Sequence, residues 1–118
     1  MDPDSYDYAL TRKHLDLLRR ATDADGNPLE IHTVSPPLHP RRSKFLDGND
    51  DFAAGYINYF VINGAVIAPE FGDPAADTKA RDLLARLYPG HKVVQIDIDA
   101  IASGGGGIHC VTNQLPSA

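Results

Sequence analysis

Gly55-Tyr56-Ile57-Asn58-Tyr59-Phe60-Val61-Ile62-Asn63-Gly64-Ala65-Val66-Ile67-Ala68-Pro69 gives the plainest structural instruction in this chain. Aromatic and β-branched residues fill positions 56–62, which predicts a strand. Asn63-Gly64 follows, and apolar residues return over 65–68. Asn-Gly between two apolar runs is a strong hairpin signal, because a type I′ turn needs positive φ at both central positions. Asn58 is the odd polar residue here, on the same face as Tyr56, Phe60 and Ile62. It is either a satisfied core amide or a group that orients a ligand.

Toward the C-terminus, residues 69–74 form a connector, and Asp73 can cap a helix over 75–88. Ala80, Leu83, Leu84 and Leu87 make one apolar stripe on that helix, and Pro89-Gly90 stops it. Residues 92–98 read as another strand, with Val94, Ile96 and Ile98 on one face. Toward the N-terminus, Asp4 or Ser5 can cap a helix running to about Arg20, with Leu10, His14, Leu17 and Leu18 as its apolar side. Thr22-Asp23-Ala24-Asp25-Gly26-Asn27-Pro28 is dense turn chemistry that ends it. Residues 29–34 alternate like a short strand. Residues 36–51 hold three prolines and few apolar residues and read as a long loop, the least structured part of the chain. Its cluster Arg41-Arg42-Ser43-Lys44 is either a solvated surface or a functional patch.

One domain is the expectation for 118 residues, and 42% hydrophobic with 23% charged residues is ordinary for a globular protein. A net charge of -5 argues against a nucleic-acid partner. No apolar run is long enough to span a membrane, and Met1-Asp2-Pro3-Asp4 does not resemble a secretory leader. The single cysteine forbids an internal disulfide and a multi-cysteine zinc site, so a cytoplasmic location is expected. The order of elements is α/β, but it lacks the glycine fingerprint of a dinucleotide fold.

Chemistry concentrates near the end, in Ser103-Gly104-Gly105-Gly106-Gly107-Ile108-His109-Cys110-Val111-Thr112-Asn113-Gln114. Four glycines allow close approach of backbone to a ligand. The β-branched run after them predicts a strand with Ile108, Cys110 and Thr112 on one face and His109 and Val111 on the other. Cys110 is then either a nucleophilic thiolate beside a loop with free N–H groups or a small buried hydrophobe. His109 faces away from Cys110 in such a strand and is a packed or hydrogen-bonded residue rather than its base. Gly104 to Gly107 opens no helix and no Lys-Ser/Thr follows, so a phosphate-binding P-loop is excluded, and anion binding by the loop is a weaker alternative.

Gly55-Tyr56-Ile57-Asn58-Tyr59-Phe60, Asn63-Gly64-Ala65-Val66-Ile67-Ala68-Pro69, Phe71-Gly72-Asp73 and Gly104-Gly105-Gly106-Gly107-Ile108-His109-Cys110-Val111-Thr112 resemble, in that order, the end of agmatine deiminases. These belong to the bacterial-type peptidylarginine deiminase family. The resemblance implies a partial α/β-propeller (pentein) of about one and a half ββαβ-type units. Residues 1–118 would be the C-terminal part of one catalytic domain. It implies Cys110 as the nucleophile toward the guanidinium carbon of agmatine, giving N-carbamoylputrescine on the way to putrescine. Gly106, Gly107 and Asn58 are the candidate substrate-binding positions. No metal or organic cofactor is implied. The family's catalytic histidine and guanidinium-binding acids lie in segments that precede this sequence, so a complementing N-terminal segment is expected. Gly107 stands where the family usually carries Asn, which bears on loop geometry and substrate orientation. The alternatives are a non-catalytic truncated module, perhaps a homo-oligomer that covers open strand edges, and a peptidyl-arginine deiminase.

Overall fold

In the computed structural model, residues 7–116 are described. They form two compact units, divided after Ser35.

The first unit holds helix α1 (Tyr8–Leu18) and the turn that follows it. The capping expected from Asp4 or Ser5 lies outside the described residues. Asp7 stands at the N-cap position, and its carbonyl accepts from Thr11 N at 2.9 Å and Thr11 Oγ1 at 3.1 Å. The apolar side differs from the expected one. Leu15 is the buried residue, with Tyr8 and Thr11 half-buried at helical spacing, while Leu10, His14, Leu17 and Leu18 are exposed. The turn chemistry holds. Asp23 accepts from the backbone of Asp25 and Asn27, both at 2.9 Å, and Gly26 takes φ +84°. These bonds hold the Asp23 carboxyl below its ordinary pKa, the backbone bond from Asn27 foremost. The strand expected over 29–34 is absent. Alternation makes a strand only where a ladder partner exists, and the bridge formed in this unit joins Thr22 to Pro28 instead.

The second unit is built on β1 (Phe60–Ile62), β2 (Ala65–Glu70), α2 (Pro74–Leu87) and β3 (Lys92–Asp97). β1 pairs antiparallel with β2, with Ile62 opposite Ala65, and β2 pairs parallel with β3. The hairpin forms as predicted, but its turn is not type I′. Gly64 takes φ +76° while no non-glycine residue among those described has positive φ. The α2 helix packs on the sheet face carrying Val66 and Ala68, where Leu84 completes a core joined by Val61, Val93, Tyr59 and Tyr88. Within the expected stripe, Ala80 and Leu84 are buried and Leu83 half-buried, but Leu87 is exposed. On β3, Val93 and Gln95 face α2, because they pair with Val66 and Ala68. Val94 and Ile96 therefore lie on the opposite face, and Ile96 is exposed. Ile98 leaves the strand to begin the short helix α3 (Asp99–Ala102). This is an open three-stranded sheet with one hairpin–helix–strand unit. The described residues thus show one such α/β unit, and the partial propeller of about one and a half units is not shown by them.

Segment 36–55 has no regular element, yet it is tied down along its length. Leu38 N and His39 N donate to Asp73 Oδ2 at 3.0 and 2.9 Å, and Arg41 N donates to Phe71 O at 2.7 Å. Asn49 Nδ2 donates to Ser103 O at 3.0 Å, and Ala53 N to Ala102 O at 3.0 Å. Residues 36–51 are a long loop as expected, but one held by the Asp73 carboxylate and by backbone carbonyls of other segments rather than by a ladder. The basic cluster also divides. Arg42 is solvated, but Arg41 turns inward to Glu70 (2.8 Å), Asp97 (3.3 Å) and Asp99 (3.3 Å). Gly72 makes room for it. At φ +75°, a Cβ there would lie 2.7 Å from Arg41 Cβ.

Asp73 does two jobs. Its Oδ1 caps α2 through Ala76 N at 3.2 Å, and its Oδ2 holds Leu38 and His39. These N–H donors, His39 and Ala76 foremost, hold its carboxyl below the ordinary range. Asp73→Ala is expected to cost about 2 kcal/mol, combining a lost cap with two stranded donors. A depressed pKa in the folded state gives stability that is present above the unfolded value of about 3.9. That stability is lost as pH falls through the folded value. Asp73→Asn should flatten the acid limb of a stability–pH curve, and an unchanged limb would refute this assignment.

Candidate active site

A proline shapes the site. Counting back from Ile62 opposite Ala65, Asn58 would fall opposite Pro69 in the β1–β2 ladder. In the alternation of antiparallel pairs this is a hydrogen-bonded position, where residue 69 should donate to Asn58 O. Proline has no N–H to give. The strand expected over 56–62 accordingly shortens to Phe60–Ile62. Asn58 O accepts instead from Ile108 N at 3.2 Å. Two residues earlier, Tyr56 is buried, and its hydroxyl donates to Asp77 Oδ1 at 2.8 Å. Its ring meets Phe71 edge-on, with centroids 5.4 Å apart. Burial, with Asp77 beside it, pushes the Tyr56 hydroxyl pKa far up, so it stays a donor. Asn58 thus extends from a fixed point.

The glycines close a helix rather than forming a free loop. Gly104 N donates to Ile101 O and Gly105 N to Ala102 O, so two of the expected free N–H groups are used. After them the predicted strand is absent. Residues His109–Val111 form a single 3₁₀ turn. Cys110 N, Val111 N and Thr112 N each donate three residues back, at 3.2, 3.2 and 3.3 Å. With their donors spent locally, these residues have none for a ladder. The predicted faces fail with the strand: Ile108 is buried while Cys110 and His109 are exposed. The His109 ring packs edge-on against Phe60, with centroids 5.9 Å apart.

Cys110 is exposed, not the small buried hydrophobe of the alternative. Asn58 Nδ2 lies 3.1 Å from Cys110 Sγ, and Asn58 Oδ1 accepts from His109 N at 2.8 Å. Asn58 therefore sits against the sulfur. The Asn58 hydrogen bond, helped by the backbone around Gly107, lowers the thiol pKa. A bond to the charged form favours it. Gly106 lies under the sulfur; a Cβ there would be 3.4 Å from Sγ. Gly107 is buried and its carbonyl accepts from Cys110 N. Among the described residues, no hydrogen bond or ion pair brings a His, Asp or Glu side chain to Sγ. Also among these residues, no cluster of three or more His, Cys, Asp or Glu could hold a metal ion, and no helix is long and apolar enough to cross a membrane. A groove of about 560 Å³ lies elsewhere, between Phe60–Asn63 and Asn113–Pro116.

The family model described as Porphyromonas-type peptidyl-arginine deiminase matches residues 1–116. The chain belongs to this deiminase family. An agmatine deiminase from Pseudomonas putida is 35% identical over 129 residues, covering 98% of this chain and 35% of the relative. The solved structure of an Enterococcus faecalis agmatine deiminase matches with a TM-score of 0.82 and 28% identity. It covers 98% of this chain and 34% of that one. The deiminase-family chain thus spans about a third of the length of the curated relatives it matches. Its mixed α/β architecture is shared with those structures. Asn58, expected as a satisfied core amide or a substrate-binding group, is instead a partner of Cys110, 52 residues away, and no sequence pattern links the two.

Proposed function

We infer that this chain carries the nucleophile of an agmatine deiminase-type hydrolase. The observation that carries it is an exposed Cys110 whose sulfur accepts a hydrogen bond from Asn58, in a family whose members include an agmatine deiminase. In the reaction, Sγ as thiolate bonds to the guanidinium carbon of agmatine. The C–N bond to one terminal nitrogen breaks, and that nitrogen leaves as ammonia after taking a proton. Water then attacks the amidino-thioether carbon, the C–S bond breaks, and N-carbamoylputrescine departs with the thiolate restored. Gly106 borders the sulfur and is assigned to the substrate's side of the loop, while Gly107, buried against Asn58, and Asn58 itself serve the substrate by orienting the sulfur.

The chemistry also needs a general acid/base and carboxylates that grip a planar cation. We place these in the two thirds of the relatives' length that this chain does not span, supplied by a longer parent or a complementing segment. The hairpin–helix–strand unit is then part of one blade of a pentein propeller, and residues 1–118 are the C-terminal part of one catalytic domain. The partner is a small guanidine, the setting cytoplasmic, and the product feeds putrescine formation.

Ammonia release from agmatine, free arginine and a peptidyl-arginine substrate tests this. It is measured for the chain alone and with the missing portion of the Pseudomonas putida relative supplied as a separate polypeptide. Release from agmatine in the complemented sample is expected. Preference for peptidyl-arginine would move the chain to the other substrate class, and no release from any substrate would remove the enzymatic assignment.

A further inference from the structure

We propose that the absence of a side chain at Gly107 is what seats the Asn58 amide on the Cys110 sulfur, so that these two residues act as one device setting the thiol's reactivity. This rests on Cys110 being the reactive group assigned above.

The orientation of the Asn58 amide is decided by its second partner. A backbone N–H can only donate, so the group 2.8 Å from His109 N must be the carboxamide oxygen. The amide nitrogen is thereby turned to Sγ, 3.1 Å away. Sulfur is the acceptor in this contact, and a thiolate accepts better than a thiol.

Gly107 is required there for space rather than for backbone freedom. Its φ is not in the left-handed region, unlike that of Gly105 at +79°. A Cβ at 107 would lie 2.5 Å from Asn58 Cγ, 2.6 Å from its Cβ and 2.9 Å from its Nδ2. Atoms of the Asn58 stem and of its amide are both in the way. The two backbones cannot easily drift apart, because Ile108 N is bonded to Asn58 O and Cys110 N to Gly107 O. Any side chain at 107 therefore displaces the Asn58 side chain, and the contact with sulfur goes with it. Asn58 and Gly107 are positioning residues: they act on substrate chemistry through Cys110.

Because Cys110 is the only cysteine, alkylation of this chain by iodoacetamide, followed by mass spectrometry across pH, reads one thiol. Asn58→Ala and Gly107→Ala should each slow alkylation near neutrality by roughly three- to tenfold and move the pH midpoint upward. Combined with Asn58→Gly, which also removes the Cβ that would lie 2.6 Å from an alanine at 107, Gly107→Ala should add nothing further, since no side chain is left to displace; this is the double variant that tests the pair. Asn58→Asp keeps an acceptor for His109 N but sets a carboxylate against sulfur, and should move the midpoint furthest upward. A Gly107→Ala profile identical to wild type, or effects that add in full in the double variant, would overturn the proposal. So would an Asn58→Asp midpoint that stays in place while circular dichroism is unchanged. Iodoacetamide is uncharged and needs no guanidinium recognition, so this outcome is separate from the agmatine assay.

Discussion

Cys110→Ala should abolish the complemented deiminase reaction, lowering ammonia release from agmatine by at least about a thousandfold. Removing a nucleophile deletes the covalent route itself, and what survives is binding and electrostatic help to direct attack by water. Cys110→Ser should do little better. A hydroxyl at this position keeps Asn58 as a neighbouring donor, but no His, Asp or Glu among the described residues is hydrogen-bonded there to ionise it, and serine is far less acidic than a thiol. The intermediate gives a second measurement. Acid quenching of the wild-type reaction should leave agmatine less one ammonia attached to the peptide containing Cys110, and neither variant should carry that mass. Retention of more than a tenth of wild-type turnover in Cys110→Ala would exclude this residue as nucleophile.

Arg41→Met carries the largest expected effect on stability. The Arg41 guanidinium lies among three carboxylates, donating to Glu70 Oε1 at 2.8 Å and to the Glu70 carbonyl at 2.6 Å. Its Nε is 3.3 Å from Asp99 Oδ2, close enough for charge attraction but not aligned as a hydrogen bond. Asp99 is buried, and its other oxygen has no partner. Removing Arg41 leaves Glu70, Asp97 and Asp99 repelling one another, with one of them out of water. Breaking a buried pair costs about 3–5 kcal/mol; Arg41 keeps 28% side-chain exposure, which places the expected loss at the low end, ~3 kcal/mol. For a chain of this size that lowers Tm by roughly 10–20 °C. Adding Asp99→Asn should recover part of the loss by removing the buried charge. A Tm within 2 °C of wild type in Arg41→Met would show that the cluster is solvated and worth little.

Sequence alone showed what depends on neighbours in the chain. Asn63-Gly64 marked the hairpin, Asp73 the start of α2, and the Asp23 turn the end of α1. What escaped it depends on partners far along the chain. Residues 29–34 and 108–112 alternate as strands do, but alternation says nothing of whether a ladder is available, and neither forms one. Arg41 and Arg42 are adjacent and chemically alike, yet one is half-buried among acids fixed by β2, β3 and α3 while the other is solvated. At the site, Cys110 was legible as an isolated thiol beside glycines. The role of Asn58 was not, because it follows from Pro69 withholding an N–H from the ladder and from the space left at Gly107.

The Asp73 carboxylate joins a stretch without regular structure to the first turn of a helix, and this has a consequence for exchange with solvent deuterium. The amides of Leu38 and His39 both end on that carboxylate, and that of Arg41 on the carbonyl of Phe71 next to it. The same carboxylate caps α2 through Ala76 N, so opening of Leu38 and His39 is linked to loosening of the helix start. These amides should therefore be protected from exchange together with Ala76, as one cooperative unit, while the exposed tip near Asp50 exchanges freely. Cooperative opening thus groups residues far apart in the chain that one acidic side chain links, across the boundary between loop and helix.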